Sequence, residues 1–398
     1  MLAPEQVLIL AEDEHIEAIV PADDAGDGVE PLEGILCPGM VNTHCHIELS
    51  HLKGVIPEGT GLIEFVKQVI SKRETPHSPD LSQAAYHELY EQALDQKLQA
   101  MTRAVEELYQ SGTVAVGDIC NTADSLELKR NSPLYWHNFI EVSGFVDAVA
   151  GKRLKFSEDI LAAFIKSQSK ASAADNTLTP HAPYSVSKSL FSLLNEKTAG
   201  QIISIHNQET AAENILYQFK EGVFLGLYES LGINIEGFSA TSKNSFQSWL
   251  PYFDREQKII TVHNTFTTEA DVRFAAQLYE ATAGAHLPYY CICVNANLYI
   301  ENTLPPLEML LANNCEIVLG TDSYASNRQL NLTEEIKTLQ KNFPDVPLER
   351  MLQWATINGA EALGIDDQYG SFTKGKKPGL VLIDPDNMKS KRVDLQVK

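Results

Sequence analysis

The sequence predicts an α/β protein, a (β/α)8 (TIM) barrel with a small accessory β domain formed from both chain termini. Three observations predict it. Eight apolar runs alternate with helical stretches through the middle of the chain. Acidic and histidine residues gather at the ends of those runs. Short β-like runs lie near both termini, and 398 residues are enough for one large domain and a small one.

The first elements are "EQVLIL" and "HIEAIV", two strand-like runs separated by a turn at Glu12-Asp13-Glu14. Their expected partner lies at the far end, in "GKKPGLVLIDPD", which Gly and Pro bound on either side. Residues 1–37 and 365–398 are therefore assigned to the accessory β domain, and residues 38–364 to the barrel. The polar stretch "PADDAGDGVEPLEG" connects the two.

The barrel strands are read from "GMVNTHCH", "GTVAVGDI", "LYWHNFIEV", "NTLTPHAP", "QIISIHNQE", "KIITVHNT", "PYYCICV" and "CEIVLGTD". Between the first two, residues 80–109 read as a helix, with Asp80 as N-cap and Gly112 as stop. Tyr90, Leu94, Leu98, Met101, Val105 and Leu108 recur at spacings of four and three, predicting one buried stripe. A doubly wound open sheet is the competing architecture. It more often places a glycine-rich phosphate loop after its first strand, and no such loop is present.

Composition narrows the function. A net charge of -22 is opposed to nucleic-acid binding, which needs a basic face. No run of eighteen apolar residues and no basic-then-apolar leader is found, so no membrane association is expected and the location is read as cytoplasmic. The six Cys form no CxxC pair and read as reduced, mostly buried thiols. A small-molecule substrate is the expected partner, and a homodimer is the assembly to test.

The chemistry lies at the strand ends. His44 and His46 close the first run, Asp118 the second, Glu141 the third and His181 the fourth. His206 and Glu209 close the fifth, His263 the sixth and Asp322 the eighth. In a barrel these ends share one rim, where active sites are built. Residues two apart on a strand point to the same side, so His44 and His46 can grip one ion. With His206 and Asp322, the donors become three imidazoles and a carboxylate. That set suits Zn²⁺ first and Fe²⁺ second. An open position beside such an ion makes water a nucleophile near neutral pH.

The chain resembles the amidohydrolase superfamily, and within it the purine-deaminase and chlorohydrolase branch. The resemblance is carried by "PGMVNTHCH", "HAPYS", "SIHNQET", "TVHNT", "LGTDSYASN" and "ATINGAEALG", in order from Pro38 to about Asp384. It implies that His44, His46, His206 and Asp322 are the metal ligands. It implies further that Glu209 shuttles protons to a ring nitrogen and the departing amine. His263 would hold the attacking water and steady the tetrahedral intermediate, and Asp322 would also take up a proton. His181 and Asn297 would lie near the substrate, although "CVNANLYI" departs from the usual Pro-x-Ser-Asn at Val294 and Ala296. His181 has the alternative of holding a loop through a backbone carbonyl.

Relatives with two metals carry a lysine at the fourth strand end, and "NTLTPHAPYS" has none. One divalent metal and deamination are therefore expected. Guanine-type or triazine C–N and C–Cl hydrolysis, cyclic-amide hydrolysis and a non-catalytic barrel are the alternatives. The expected substrate is a purine-like, adenosine-type amine. "HIELS" resembles a pattern of aminodeoxyfutalosine deaminases, and there Glu48 is either an acceptor for ribose hydroxyls or a solvated loop carboxylate. Asp118 and Glu141 are substrate groups or structural salt bridges. In "GLIEFVKQVISKR", Ile63, Phe65 and Val66 line the pocket or pack on the barrel. His15, His77, His87, His137 and His286 are expected in loops or at the surface, with His51 a loop residue. The family begins with one more strand before "EQVLIL", so the accessory domain is expected to be short.

Overall fold

The computed structural model describes residues 1–26, 28–73, 83–167, 176–280, 282 and 284–393, with side chains of 83–86 excepted. Asp80 and His77 lie outside the described residues. Strands β1 (Gln6–Leu10) and β2 (Ile16–Pro21) pair antiparallel. β3 (Ile35–Pro38) lies antiparallel to β12 (Leu380–Ile383), whose other neighbour is β13 (Ser390–Arg392). The strand of the C-terminal run thus pairs with β3, while the first residues of that run meet β2, Ile16 N donating to Lys376 O at 2.9 Å and Gly375 N to Ile16 O at 2.8 Å. β1 and β2 pair with each other, and single bonds such as Leu2 N to Leu36 O (2.9 Å) also tie the terminal segments together.

All eight expected barrel runs are strands. They are β4 (Met40–Cys45), β5 (Thr113–Cys120), β6 (Tyr135–Val142), β7 (Asn176–Pro180), β8 (Ile202–Asn207), β9 (Lys258–His263), β10 (Tyr289–Ile292) and β11 (Glu316–Leu319). They pair in parallel and in chain order as two arcs, β4 to β7 and β8 to β11. Every residue of β4, β5 and β7 is buried, which is why these runs lack an alternating pattern.

The arcs meet at two seams. Between β7 and β8 the Thr179 hydroxyl substitutes for ladder bonds, donating to Ser204 O and accepting from Ser204 N at 2.7 Å. His206 N also donates to His181 O there, at 2.9 Å. Between β11 and β4, Thr321 N and Asp322 N both donate to His44 O at 3.1 Å, and Thr43 Oγ1 donates to Leu319 O at 2.8 Å. Gly320 permits this approach, since a Cβ on it would lie 2.8 Å from that of His44. Both seams therefore fall where expected metal ligands leave the strands.

Helix α1 (Leu62–Arg73) follows β4, and helix α2 (Gln83–Gln110) carries the predicted stripe. Met101, Val105 and Leu108 are buried against Cys45, Ile47 and Val116, but Tyr90 is 44% exposed. The stripe is buried only where α2 runs beside the barrel. No helix among the described residues is long and apolar enough to cross a membrane.

His137, expected at the surface, is 1% exposed on β6, where its ring packs on Phe139. Its strand faces the filled interior, so an isolated histidine without a motif is a core residue here. Nε2 meets Thr177 Oγ1 at 3.2 Å, Nδ1 has no partner among the described residues, and burial pushes the imidazole down to about 3. The unfolded chain therefore takes up this proton first. The stabilisation is complete above the unfolded value of 6.5 and is lost as pH falls towards 3. Lowering the pH from 6.5 to 5 should cost about 1.4 kcal/mol per pH unit through this residue. Urea unfolding of His137→Gln should show a correspondingly shallower pH slope; an unchanged slope would refute the assignment.

Candidate functional site

At the C-terminal ends of the strands, alternation along β4 turns His44 and His46 to one side and buries Cys45 on the other. β8 delivers His206, β9 delivers His263, and Asp322 follows β11. Three of the turn residues here, Gln208, His263 and Asp322, have φ of 47°, 71° and 56°. Such left-handed backbone is uncommon for these residue types and is held only by surrounding bonds.

The donors converge. His46 Nε2 lies 3.1 Å from His44 Nε2 and 3.2 Å from His206 Nε2. Asp322 Oδ1 lies 3.8 Å from His44 Nε2 and 3.5 Å from His46 Nε2. Four ligands about 2.1 Å from a tetrahedral ion would be separated by about 3.4 Å, so these residues fit a divalent transition metal.

Electrostatics agree with that use. Burial and then the mutual presence of the other histidines push His44 and His46 well below the usual imidazole range. His206 is pushed to about 3 by burial, His181 and His263. These rings are held neutral, as metal ligands must be. Outer bonds fix the tautomers: His206 Nδ1 donates to His181 O at 2.8 Å, leaving Nε2 for the ion. Asp322 Oδ2 accepts from the Ser326 hydroxyl, leaving Oδ1 inward.

Glu209 is 4% exposed, with Oε1 3.6 Å from His263 Nε2. Burial, then Asp322 and Glu301, raise its pKa well above the ordinary carboxylate value. The turn carrying Glu209 is held from below, since Gln208 N donates to Glu213 Oε1 at 3.0 Å and Gln208 Nε2 to Asp271 Oδ2 at 3.0 Å.

A cavity of about 500 Å³ opens above this cluster. Its floor is His46, His206, Glu209, His263 and Asp322, and His181 and Glu141 stand on one side. Phe65 and Val66 of α1 line it, as do Leu227 and Tyr228. His181, pushed down to about 4 by burial and then Arg73, donates or accepts through Nδ1 with Ser185 Oγ at 2.6 Å.

Two expected substrate residues are placed elsewhere. Asn297 stands behind His263, its Oδ1 2.9 Å from Nδ1 and its Nδ2 donating to His263 O at 3.2 Å. Its amide is used in orienting that ring and does not line the cavity. Glu48 is neither solvated nor in the cavity lining. It is 8% exposed, and it accepts from Asn121 N at 3.0 Å and Thr122 N at 3.2 Å. Burial raises it to about 7, with Lys129 opposing and Asp118 adding to the effect.

Asp118 and Glu141, alike in sequence, part company. Asp118 accepts from Ile47 N at 2.9 Å and pairs with Lys129 at 2.5 Å, so it holds the turn after His46. Glu141 faces the cavity. Sequence reasoning missed Lys129, Asn121 and Glu213, which act through other residues. The only available signal was position, Glu213 following Glu209 by one helical turn.

A family model described as "Amidohydrolase family" matches residues 35–397. A 5'-deoxyadenosine deaminase of Methanococcus vannielii is 28% identical over 398 residues, covering 94% of this chain and 82% of its own length. Helicobacter pylori aminofutalosine deaminase, solved with methylthio-coformycin, superposes with a TM-score of 0.72 at 19% identity, over 95% of this chain and 87% of that one. An adenosine deaminase from Xanthomonas campestris with bound zinc superposes with a TM-score of 0.67 at 20% identity, over 96% and 81%. These two likenesses concern the fold.

The Asp118–Lys129 pair generates a prediction about the turn. Burial works against the Lys129 charge, but Asp118 and Cys120 raise its pKa, and Asn138 Oδ1 accepts from it at 2.7 Å. Removing one member of a buried pair costs about 3–5 kcal/mol. Denaturant unfolding of Lys129→Met should show a loss of that order, with much of it recovered in the Lys129→Met/Asp118→Asn double variant.

Proposed function

The chain belongs to the amidohydrolase family, and from that membership we propose a metal-dependent hydrolytic deaminase of adenosine-type substrates. It is a hydrolase acting on carbon–nitrogen bonds other than peptide bonds. The observation that carries the reading is the buried Glu209, 3.6 Å from His263 Nε2, beside three converging imidazoles and Asp322. The relatives named 5'-deoxyadenosine deaminase support the substrate class.

We assign His44, His46, His206 and Asp322 as the residues that hold one divalent ion. Zinc is favoured by the nitrogen and oxygen donors and their near-tetrahedral spacing. When bound, such an ion supplies Lewis-acid activation of water near neutral pH. The chain's own residues do the rest. Glu209 gives its proton to a ring nitrogen, which makes the amine-bearing carbon electrophilic, and then delivers a proton to the departing amine. His263, its Nδ1 engaged by Asn297, presents Nε2 to the reacting centre. Asp322 takes up one proton of the attacking water. The second passes from the new hydroxyl to Glu209 and on to the departing amine, and the proton on Asp322 then restores Glu209. Ammonia leaves, and the ring carbon retains the oxygen.

The alternative of cyclic-amide hydrolysis would yield a new carboxylate in place of ammonia. Ammonia release should be measured across adenosine, 5'-deoxyadenosine, methylthioadenosine, aminodeoxyfutalosine, guanine and cytosine. Turnover is expected for adenosine-type compounds, and none on any of these amines would overturn the reading. Glu209→Gln should retain the metal while kcat falls about 10²–10⁴-fold. His46→Ala should lose the metal itself by elemental analysis.

A further inference from the structure

One cavity carboxylate is held from behind and left unpaired in front. Glu141 ends β6 with its side chain 9% exposed, and it lines the cavity beside His181. Its Oε2 accepts from Asn121 Nδ2. The backbone N–H groups of Asn121 and Thr122 are themselves held by Glu48. Oε1 is buried and has no hydrogen-bond partner among the described residues; His181 Nε2, at 3.9 Å, is beyond reach. A buried acceptor without a donor is costly, so a group fixed in this way is built to receive one.

We propose that Glu141 is a specificity-determining residue that accepts a hydrogen bond from a sugar hydroxyl of the nucleoside substrate. The proposal rests on the adenosine-type reading above. The chemistry of that substrate class selects the donor. On an adenine ring joined to a sugar, the exocyclic amine carries the only N–H groups, and that amine must face Glu209 and the metal ligands. The remaining strong donors are the hydroxyls of the sugar. A hydroxyl donating to a carboxylate makes a charge-assisted bond, stronger than one between neutral groups. Glu48 is thereby a positioning residue, acting on Glu141 through Asn121.

The test is the steady-state comparison of a ribonucleoside with its 2',3'-dideoxy counterpart on the metal-loaded enzyme and on Glu141→Gln. The wild type should favour the ribonucleoside by about 10- to 100-fold in kcat/KM, the range for a hydrogen bond to a charged group. In Glu141→Gln the ribonucleoside should lose about that factor, chiefly in KM, and the two substrates should become nearly equal. An unchanged ratio in the variant would overturn the proposal, as would a wild type indifferent to the hydroxyls. The latter needs no variant to fold. Loss of bound metal in Glu141→Gln would also overturn it, because the ligand atoms of Glu141, His181 and His206 lie within 4.8 Å of one another. Failure of the wild type to release ammonia from either nucleoside would instead refute the underlying activity, a distinct result.

Discussion

Three neutral imidazoles and a carboxylate must meet within 3.1–3.8 Å in a buried place, and most of the rim is organised around that requirement. Lone pairs aimed at one another repel unless something electron-poor lies between them. The protein therefore has to hold each ring against its neighbours before any ion arrives. His206 is held from behind by a carbonyl on its Nδ1, and the neighbouring His263 by an amide on its Nδ1. Low pKa values follow from the same crowding and burial.

The strands supply the convergence and the turns supply the aim. Where β11 meets β4 and β7 meets β8, side chains of Thr43 and Thr179 take over bonds that a regular ladder would make. The exchange at Thr43 lies beside Asp322, which follows β11 in left-handed backbone. Buried carboxylates brace the loops. Glu335 accepts from Asn295 N at 3.0 Å and from Asn327 Nδ2 at 2.8 Å, tying the segment after β11 to β10's end.

Much of this was legible in the sequence because strand order and strand-end chemistry are linear properties. Eight runs could be read off, and His44, His46, His206, Glu209, His263 and Asp322 stood at their ends. What could not be read was the direction of side chains one step further out. Glu48 and Glu141 are both carboxylates near a strand end, yet one binds backbone and the other faces the cavity. The choice depends on the loop 121–122, to which Glu48 has no sequence relation. His137 failed for a similar reason: nothing local distinguishes a core imidazole from an exposed one. The pairing of β12 with β3 was hidden because short strands carry little register information.

The cavity wall has a different origin from its floor. The ion-facing side chains stand on or directly after the strands, whereas Phe65 and Val66 come from α1, a helix placed between β4 and α2. Wall and floor are thus separable parts of the chain, joined through the six-residue turn Ile47–Leu52 and its neighbours. A lineage could replace the helix and change which molecules enter without disturbing the atoms that react. The same division offers protein engineers a graft boundary: exchanged between relatives, the segment from Gly54 to Arg73 would reshape one wall of the cavity while leaving the reactive centre and Glu141 in place.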